Sequence, residues 1–395
     1  MNQFNKDIIA ALSSDKDITL NEVLRRQIEV AANQFLQNEL TAVLGYEPHT
    51  RIDRSKDDVN YRNGTYTRTI DTEYGEINLT IPRDRLNKFQ NALFPPYVRR
   101  TDGLEEMVIK MYSKGVTTRE IADMVERMYG HYYSPTTVSN ITKRTEHLVE
   151  EFHERRFKYS QYVCVFLDAT YIPLRRGTVE REAVNVAIGI RSDGGKEVLD
   201  YSIAPTENGA AWSELLQGLR ARGIKDIQLF IADGLVGLQS AIEANYPQAK
   251  FQRCWVHAER NLLGYVRKND RREIITDFKA IRQAENLQAA KERLAAFSAK
   301  WESSYKGRIK NLVQMEELFT FFSFPTAIRQ TIYSTNLIES FNKSLKKMVR
   351  RKEQFPNEGA LDRFIMTQVM EDNDKFENRA HRGFKDCHDT LDSMF

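Results

Sequence analysis

The fold class of this chain is decided by residues 162–168, which read Tyr-Val-Cys-Val-Phe-Leu-Asp. A short apolar run predicts a buried strand, and this run stops at a lone carboxylate. A second run, Ile-Gln-Leu-Phe-Ile-Ala at 227–232, stops at Asp233. The surrounding pattern predicts strands at 182–191, 196–204 and 249–253 and helices near 209–222 and 235–244. An antiparallel meander followed by strand–helix units indicates an α/β fold with a mixed sheet.

The composition is that of a folded protein with more than one domain. The chain has 395 residues, of which 41% are hydrophobic, and 58 basic and 55 acidic residues give a net charge of +3. This balance does not by itself identify a nucleic-acid-binding protein, so the distribution of charge must decide. No apolar stretch approaches the roughly 18 residues of a membrane span, and the first residues lack a signal-peptide core. Three widely separated cysteines favour a reducing cytoplasm.

Two segments precede the strand-rich part of the chain. Residues 1–45 predict a helical region that ends at Gly45. Residues 46–98 form a small basic segment in which Thr65–Thr72 and Glu76–Ile81 predict short strands, and Asn63-Gly64 is a turn signal.

Residues 101–155 predict three helices, within a domain with bounds 99–157. The second begins with a capping box, Thr117 to Glu120, and the third begins with the cap Ser134 followed by Pro135. Two short helices and a third with a polar face are typical of a helix-turn-helix DNA-binding domain. The third helix would expose Asn140, Lys143 and Arg144 toward DNA. The alternative is an ordinary helical hairpin with a solvated face.

The remaining segments complete the predicted organisation. The first part of a catalytic core with a mixed sheet, as in a ribonuclease-H-like fold, is predicted at 158–257. An all-helical stretch follows at 258–333. The final part of the core is predicted at 334–372, with a last long helix at about 335–350, and a polar tail at 373–395.

Asp168 and Asp233 both follow buried apolar runs. In an open sheet with crossover helices, ligands collect at the carboxyl ends of neighbouring strands. Oxygen ligands with few nearby His or Cys residues favour Mg²⁺ or Mn²⁺. Each aspartate taken alone could be a strand-end turn residue or a helix cap, but two such acids and a third indicate a metal site at which the carboxylates converge.

The third acid, Glu339, lies in a helix rich in lysine and arginine. At about 100° per residue, Glu339 shares a face with Lys343, Lys346 and Arg350, while the apolar residues lie on the opposite side. The alternative is a solvated face with an i,i+4 pair from Glu339 to Lys343. That pair does not explain six basic residues with a single acid between 334 and 352; these are Lys343, Lys346, Lys347, Arg350, Arg351 and Lys352. Such a stripe is suited to a DNA phosphate backbone.

At these residues the sequence resembles the bacterial insertion-sequence transposases related to the Mutator transposases of eukaryotes, in the DDE group. The segments that carry the resemblance are Phe166-Leu-Asp-Ala-Thr-Tyr171, Ile231-Ala-Asp-Gly-Leu235, Phe251-Gln-Arg-Cys-Trp-Val-His-Ala-Glu-Arg-Asn261 and Ser334-Thr-Asn-Leu-Ile-Glu-Ser-Phe-Asn342. The resemblance implies a ribonuclease-H-like domain with a helical insertion and Asp168, Asp233 and Glu339 as a catalytic triad holding two Mg²⁺ or Mn²⁺ ions. It also implies cleavage and joining of double-stranded DNA at terminal inverted repeats, by a homodimer or larger assembly associated with the nucleoid.

The family pattern includes Cys254-x-x-His257. Alone it is half of a zinc site, and no second Cys or His pair lies near it in the sequence, so a supporting role beside the active site is the better hypothesis. Trp255, between them, could stack on a displaced base or pack in the core, and core packing is preferred.

Two other classes of function stay open at this stage. One is a ribonuclease-H-like nuclease that cuts without joining. The other is a non-catalytic DNA-binding protein derived from a transposase, although the presence of all three acids argues against it.

Overall fold

The computed structural model describes residues 9, 18–52, 59–94, 98–235 and 237–395. The chain divides into two compact units, Met1–Arg144 and Thr145–Phe395. Most of the helix predicted at 1–45 is described; residues 1–8 and 10–17 lie outside the described part of the chain. Within the described residues, no helix is both long enough and apolar enough to cross a membrane.

The first unit combines a hairpin with helices. Its elements are α1 (Leu20–Leu44), β1 (Arg62–Thr72), β2 (Gly75–Asp84), α2 (Asp102–Ser113), α3 (Thr118–Tyr129) and α4 (Pro135–Lys143). Helix α1 ends at Gly45, whose φ of 77° is the left-handed conformation that glycine adopts most easily. Leu36 of α1 packs against Ile70, Leu79 and Ile81 of the hairpin, so a small apolar core joins them.

The hairpin reverses at a different place from the one that the sequence indicated. Asn63 and Gly64 lie inside β1, where the pairing register shifts between Arg62 and Thr65. Gly64 has a φ of 76°, and a glycine in this conformation commonly forms a bulge. The prediction of a turn at Asn63-Gly64 is therefore wrong, and the chain turns between Thr72 and Gly75.

The helix starts predicted between residues 117 and 135 agree with the structure. Thr117 and Glu120 form the capping box of α3, and Ser134 caps α4 with Pro135 as its first residue. Asn140, Lys143 and Arg144 are exposed. Arg144 also forms an ion pair with Glu105 of α2, so part of its charge is used within this unit.

The second unit contains the mixed sheet. Its elements are α5 (Glu146–Glu154), β3 (Gln161–Arg175), β4 (Val179–Ile190), β5 (Lys196–Ala204), α6 (Gly209–Ala221), β6 (Asp226–Ala232), α7 (Leu238–Asn245), β7 (Lys250–Arg253), α8 (Trp255–Leu263), α9 (Arg271–Arg282), α10 (Leu287–Val313), α11 (Thr326–Ile332), α12 (Asn336–Lys352), α13 (Glu358–Phe376) and α14 (His388–Asp392), with 3-10 turns at Glu316–Leu318, Thr320–Ser323 and Lys385–Cys387. Helix α10 is kinked at Tyr305.

The sheet has the order β5-β4-β3-β6-β7. Strands β3, β4 and β5 are antiparallel neighbours, whereas β6 pairs in parallel with β3 and with β7. The predicted mixed α/β architecture is confirmed. The adjacency of the first and fourth strands, which the metal-site hypothesis requires, is confirmed as well.

Strand β3 is longer than its apolar run. It continues past Asp168 to Arg175, paired with β4 throughout, whereas its pairing with β6 ends at Phe166. Beyond that point β4 is the one strand that pairs with β3 among the described residues, apart from an isolated bridge between Leu174 and Phe355, and the burial of β3 becomes irregular as the apolar run stops. The prediction that Asp168 ends the strand is wrong, although Asp168 does lie just beyond the last paired residue of β3 and β6.

The C-terminal residues are folded against the second unit. Phe384 and Leu391 are fully buried, Gly195 forms a bridge with Ala380, and the Gln228 side chain donates to the Leu391 carbonyl at 3.1 Å. Residues 373–395, predicted as a polar tail, therefore carry packed structure.

Helix α6 is expected to contribute strongly to the stability of this unit because Leu216 is completely buried against the sheet. Leu216→Ala should lower the free energy of unfolding by about 2–5 kcal/mol. The matched control is Gln217→Ala, an exposed neighbour on the same helix, which should change it by less than about 0.5 kcal/mol. Urea unfolding of the two variants measures the difference, and equal stabilities would contradict this packing.

Candidate active site

Asp168 and Asp233 are aligned by the parallel pairing of β3 and β6. The pairs run from Gln161 with Asp226 to Phe166 with Ile231, a constant difference of 65 positions. The two aspartates have the same difference, 233 − 168 = 65. Since neighbouring strands lie about 4.8 Å apart, continuing this register puts the two residues side by side, Asp168 within β3 and Asp233 directly after β6.

The Asp233 loop is shaped by local contacts. Asp233 Oδ1 accepts the backbone N–H of Leu235 at 3.1 Å, so the turn role considered for a lone aspartate is also present. Gly234 follows with a φ of 86°, and a Cβ atom there would lie 2.5 Å from the Arg253 guanidinium carbon. Arg253 is itself paired with Glu317 at 2.8 Å. The backbone after Asp233 therefore has little freedom.

Asp168 is held by helix α12, which packs against β3. Asp168 Oδ2 accepts a hydrogen bond of 2.8 Å from the Asn342 side-chain amide. The pKa of Asp168 is raised to about 6, mainly by burial and also by the neighbouring Asp233 and Glu339 carboxylates, against the lowering effects of Asn342 and His257. The carboxylate of Asp168 is thus poorly solvated and lies close to other negative charge.

Glu339 lies one helical turn before Asn342 on α12, and both of its oxygens are engaged. The Arg260 guanidinium donates to Oε1 at 3.0 Å and to Oε2 at 3.1 Å. The Thr335 hydroxyl lies 3.4 Å from Oε1, and Nε2 of His257 lies 3.5 Å from the same oxygen. Two residues of α8, His257 and Arg260, therefore face the acid on α12.

Cys254 and His257 connect the start of α8 to the start of α12. The Cys254 sulfur accepts from the Thr335 backbone N–H at 3.3 Å and from its hydroxyl at 3.2 Å. Nδ1 of His257 lies 3.4 Å from the Thr335 hydroxyl. Burial raises the pKa of the Cys254 thiol, but its hydrogen bonds with His257 and Thr335 outweigh this and lower it overall. The hydrogen bond with Cys254 is the largest effect that raises the pKa of His257.

Trp255 packs in the interior. It is 2% exposed, its indole N–H donates to the Leu318 carbonyl at 2.6 Å, and its ring contacts Phe278 and Phe319. The structure agrees with the preferred core role and gives no access for a stacked base.

Asp168 and Glu339 line a common cleft of about 590 Å³, together with His257, Arg260, Lys343 and Lys346. Asp233 lines a second cavity of about 340 Å³, with Arg253 and Tyr265 among its walls. Helix α8 contributes residues to both. The three carboxylates therefore gather around one helix.

The basic stripe on α12 has the orientation predicted for it. Lys343, Lys346, Lys347, Arg350 and Arg351 are exposed, whereas Ile338, Phe341, Leu345 and Val349 are buried. The face that carries Glu339 is thus the cationic face of the helix.

The carboxylate oxygens of Asp168, Asp233 and Glu339 do not all lie within 4.8 Å of one another. Among the described residues, the group that meets this distance is Asp71, Glu76 and His131 in the first unit. Part of its bonding capacity is used within the protein, because Nε2 of His131 lies 2.9 Å from the Thr72 carbonyl and Tyr133 donates to Asp71 at 3.1 Å.

Sequence reasoning missed a fourth acid, Glu207. It is half-buried and accepts the Trp212 indole N–H at 3.2 Å. Its pKa is raised to about 7, mainly by burial and also by the carboxylates of Asp233 and Asp168. Glu207 lies three residues after β5, which runs parallel to β3, so the strand-end argument could have found it. Arg260 and Asn342 lay within the quoted segments but had received no role at the acids.

The chain matches the family model described as "Transposase, Mutator family" over residues 2–379. The transposase for insertion sequence element IS905 of Lactococcus lactis subsp. lactis is 48% identical over 395 residues, which is 100% of both chains. The transposase for IS1201 of Lactobacillus helveticus is 49% identical and covers 94% of this chain and 99% of that protein. The transposase for IS256 in transposon Tn4001 of Staphylococcus aureus is 27% identical over 90% of this chain and 91% of that protein.

Among solved structures, the Drosophila P element transposase strand transfer complex aligns with a TM-score of 0.31 and 10% identity, over 75% of this chain and 84% of that chain. A TM-score of this size does not define the fold.

The shifted pKa of Asp168 leads to a pH-dependent stability. Its pKa is raised from 3.8 to about 6, so the stability it contributes is fully present below about pH 4 and is lost as the pH rises through about 6. Asp168→Asn removes this loss. In EDTA, its stability relative to the parent should rise between pH 4 and pH 7 by at most about 3 kcal/mol, measured by urea unfolding at each pH. Asp226→Asn, exposed at the other end of β6, is the control, and a pH-independent difference for Asp168→Asn would contradict the shift.

Proposed function

This chain belongs to the Mutator family of transposases, and we propose that Asp168, Asp233 and Glu339 are the residues with which it cuts and joins DNA. The observation that carries the proposal is the alignment of Asp168 with Asp233 across two parallel strands. Beside them, α12 supplies Glu339 and attaches to Asp168 through Asn342. Asp168 and Glu339, from separate parts of the chain, line a cleft with a cationic wall, and such an arrangement is suited to phosphodiester chemistry.

A ribonuclease-H-like assignment for the second unit is part of the proposal. Three antiparallel strands followed by two parallel ones, with an aspartate on the first and another after the fourth, support it. The helices α8 to α11 between Asp233 and α12 correspond to the helical insertion that the sequence predicts.

The residues present fit Mg²⁺ or Mn²⁺. Carboxylate oxygens are the ligands that these hard cations prefer, and Asp168, Asp233 and Glu339 would hold two ions. Oδ1 of Asn342 is buried and has no hydrogen-bond partner, so the site has acceptor capacity left over. Bound ions would activate the attacking oxygen and stabilise the leaving oxygen of an in-line displacement.

The protein's own groups then orient these ligands and bind the substrate. Asn342 donates a hydrogen bond to one oxygen of Asp168. The Thr335 hydroxyl and Nε2 of His257 lie 3.4 Å and 3.5 Å from Oε1 of Glu339 and orient this carboxylate. Lys343 and Lys346, on the wall of the same cleft, neutralise phosphate. The attacking group is water when an end is cut and the freed 3′-hydroxyl when that end is joined to target DNA, so no covalent intermediate with the protein is needed.

The substrate class follows from the relatives, which are named as transposases for insertion sequence elements. We infer that this chain acts on the terminal inverted repeats of such an element, and that α12 contacts the DNA backbone near the cut. The helices α2 to α4 would form a helix-turn-helix module in which Asn140, Lys143 and Arg144 contact DNA. Two ends must be held together, which favours a dimer or a larger assembly, and work on chromosomal DNA favours the bacterial cytoplasm.

The triad is tested by Asp168→Asn, Asp233→Asn and Glu339→Gln. Each change preserves shape and removes a charged ligand, so Mg²⁺-dependent cleavage of terminal-repeat DNA should fall at least about 100-fold. Single-turnover cleavage and the yield of joined product are measured separately, which distinguishes a transposase from a nuclease that only cuts. Asp226→Asn is the control, and near-parental turnover in any one triad variant would remove that residue from the set.

The basic stripe is tested by the double variant Lys346→Ala with Arg350→Ala. Loss of two phosphate contacts should weaken DNA binding and make the slope of log K against log salt shallower by about 2. The control removes two exposed lysines of α10, Lys291→Ala with Lys310→Ala. Fluorescence anisotropy at several salt concentrations measures both, and equal slopes for the two double variants would argue against a role for the stripe.

A further inference from the structure

We propose that Arg260 exchanges partners during the reaction, holding Glu339 in the free protein and binding a DNA phosphate once Glu339 turns to the aspartates. The inference rests on the proposed active site. It assigns to Arg260 a contact with substrate in addition to the roles of the triad.

Both carboxylate oxygens of Glu339 are engaged in the free protein. Arg260 spans both oxygens at 3.0 and 3.1 Å, and Thr335 and His257 approach one of them further. A two-pronged pairing of this kind uses the whole edge of the carboxylate. Glu339 cannot also present that edge to a cation shared with Asp168.

The three acids need a positive charge nearby in the free protein. Asp168 and Asp233 each lie two positions beyond Phe166 and Ile231, the last pair of β3 with β6, and Glu339 lies in the same cleft as Asp168. Of the lysines and arginines that line this cleft in the described part of the chain, Arg260 is the one that forms an ion pair with a carboxylate. It therefore supplies the positive charge that bound cations would otherwise provide.

The Arg260 guanidinium and a bound divalent cation cannot both occupy Glu339. A guanidinium and a divalent cation on the same carboxylate repel strongly in a partly buried site. When Glu339 serves as a ligand of the site, Arg260 has to leave it, and the fork of the guanidinium then requires another anion.

A DNA phosphate is an anion that the released Arg260 side chain can reach. The Arg260 side chain is 55% exposed, against 26% for Glu339, so its departure needs no rearrangement of the core. It shares the cleft wall with Lys343 and Lys346, which face the proposed DNA path. Its planar fork matches phosphate oxygens as well as it matches a carboxylate.

A linkage follows from this exchange. Because Arg260 competes for Glu339, it weakens cation binding in the free protein, and because DNA draws Arg260 away, DNA strengthens cation binding. Such coupling is reciprocal, so the cation strengthens DNA binding by the same factor. Substitution of Arg260 should remove the part of this coupling that it carries.

The first experiment measures Mn²⁺ binding to the DNA-free protein by calorimetry. Arg260→Ala should bind Mn²⁺ roughly two- to fivefold more tightly than the parent, the range expected for removal of a partly exposed ion pair. Lys346→Ala removes one charge from the same cleft without contacting Glu339, so it shows how much of the change is general electrostatics and should have the smaller effect. Thermal unfolding of each variant checks that the fold is retained.

The second experiment measures binding of pre-cleaved terminal DNA, on which no cutting can occur, in EDTA and in Mn²⁺. The parent and Arg260→Ala should bind equally in EDTA, and in Mn²⁺ the variant should be weaker by roughly fivefold or more. Arg260→Lys keeps the charge without the fork and should recover part of the loss.

Unchanged or weaker Mn²⁺ binding by Arg260→Ala would overturn the proposal, as would a DNA-binding defect of equal size in EDTA and Mn²⁺. Asp168→Asn separates this result from failure of the active site itself. If Asp168→Asn abolishes Mn²⁺ binding while Arg260→Ala behaves like the parent, the site stands and the exchange is wrong. If Asp168→Asn leaves Mn²⁺ binding intact, the proposed active site is wrong.

Discussion

The parallel pairing of β3 and β6 is the constraint on which the site depends. Its constant difference of 65 positions brings Asp168 level with Asp233, and two carboxylates side by side in a partly buried place repel each other. Burial is the main cause of the raised pKa of Asp168, and the neighbouring Asp233 and Glu339 carboxylates contribute to it. The rest of the site consists of groups that offset the accumulated negative charge or hold it in position.

Helices α8 and α12 supply most of those groups. Helix α12 carries an acid, Glu339, and an amide that binds Asp168, and it follows both with a row of lysines and arginines on the exposed side. Helix α8 begins directly after β7 and turns His257 and Arg260 toward Glu339. The sulfur of Cys254 accepts two hydrogen bonds from Thr335, which fixes the start of one helix against the start of the other. The Cys-x-x-His motif thus joins the starts of α8 and α12.

The sequence was sufficient to predict the features that depend on local pattern. Apolar runs identified β3 and β6, the charge periodicity of α12 identified which side of that helix is buried, and capping residues identified the starts of α3 and α4. It was insufficient where a neighbour in space decides the outcome. Strand β3 extends to Arg175 because β4 continues to pair with it after its pairing with β6 has ended. Gly64 lies in a bulge because β2 pairs with β1 on both sides of it. Arg260 faces Glu339 through a contact between residues 79 positions apart, so no local pattern marks it, whereas Glu207 follows a strand end and could have been found by the argument used for the two aspartates.

The long separation between Asp233 and Glu339 bears on how the site is held together. Their distance in sequence, 339 − 233 = 106 positions, could suggest that the intervening helices are a spacer. Helix α8 argues otherwise, because it lies early in that stretch, after α7 and β7, and it contacts the acid at the far end of the stretch. The backbone N–H of Cys254 also donates to the Ala232 carbonyl at 2.7 Å, and that of Trp255 donates to the Tyr333 carbonyl at 3.0 Å. Residues 254 and 255 therefore join the strand that precedes Asp233 to the segment that precedes Glu339, so the intervening stretch is tied to the site at both ends.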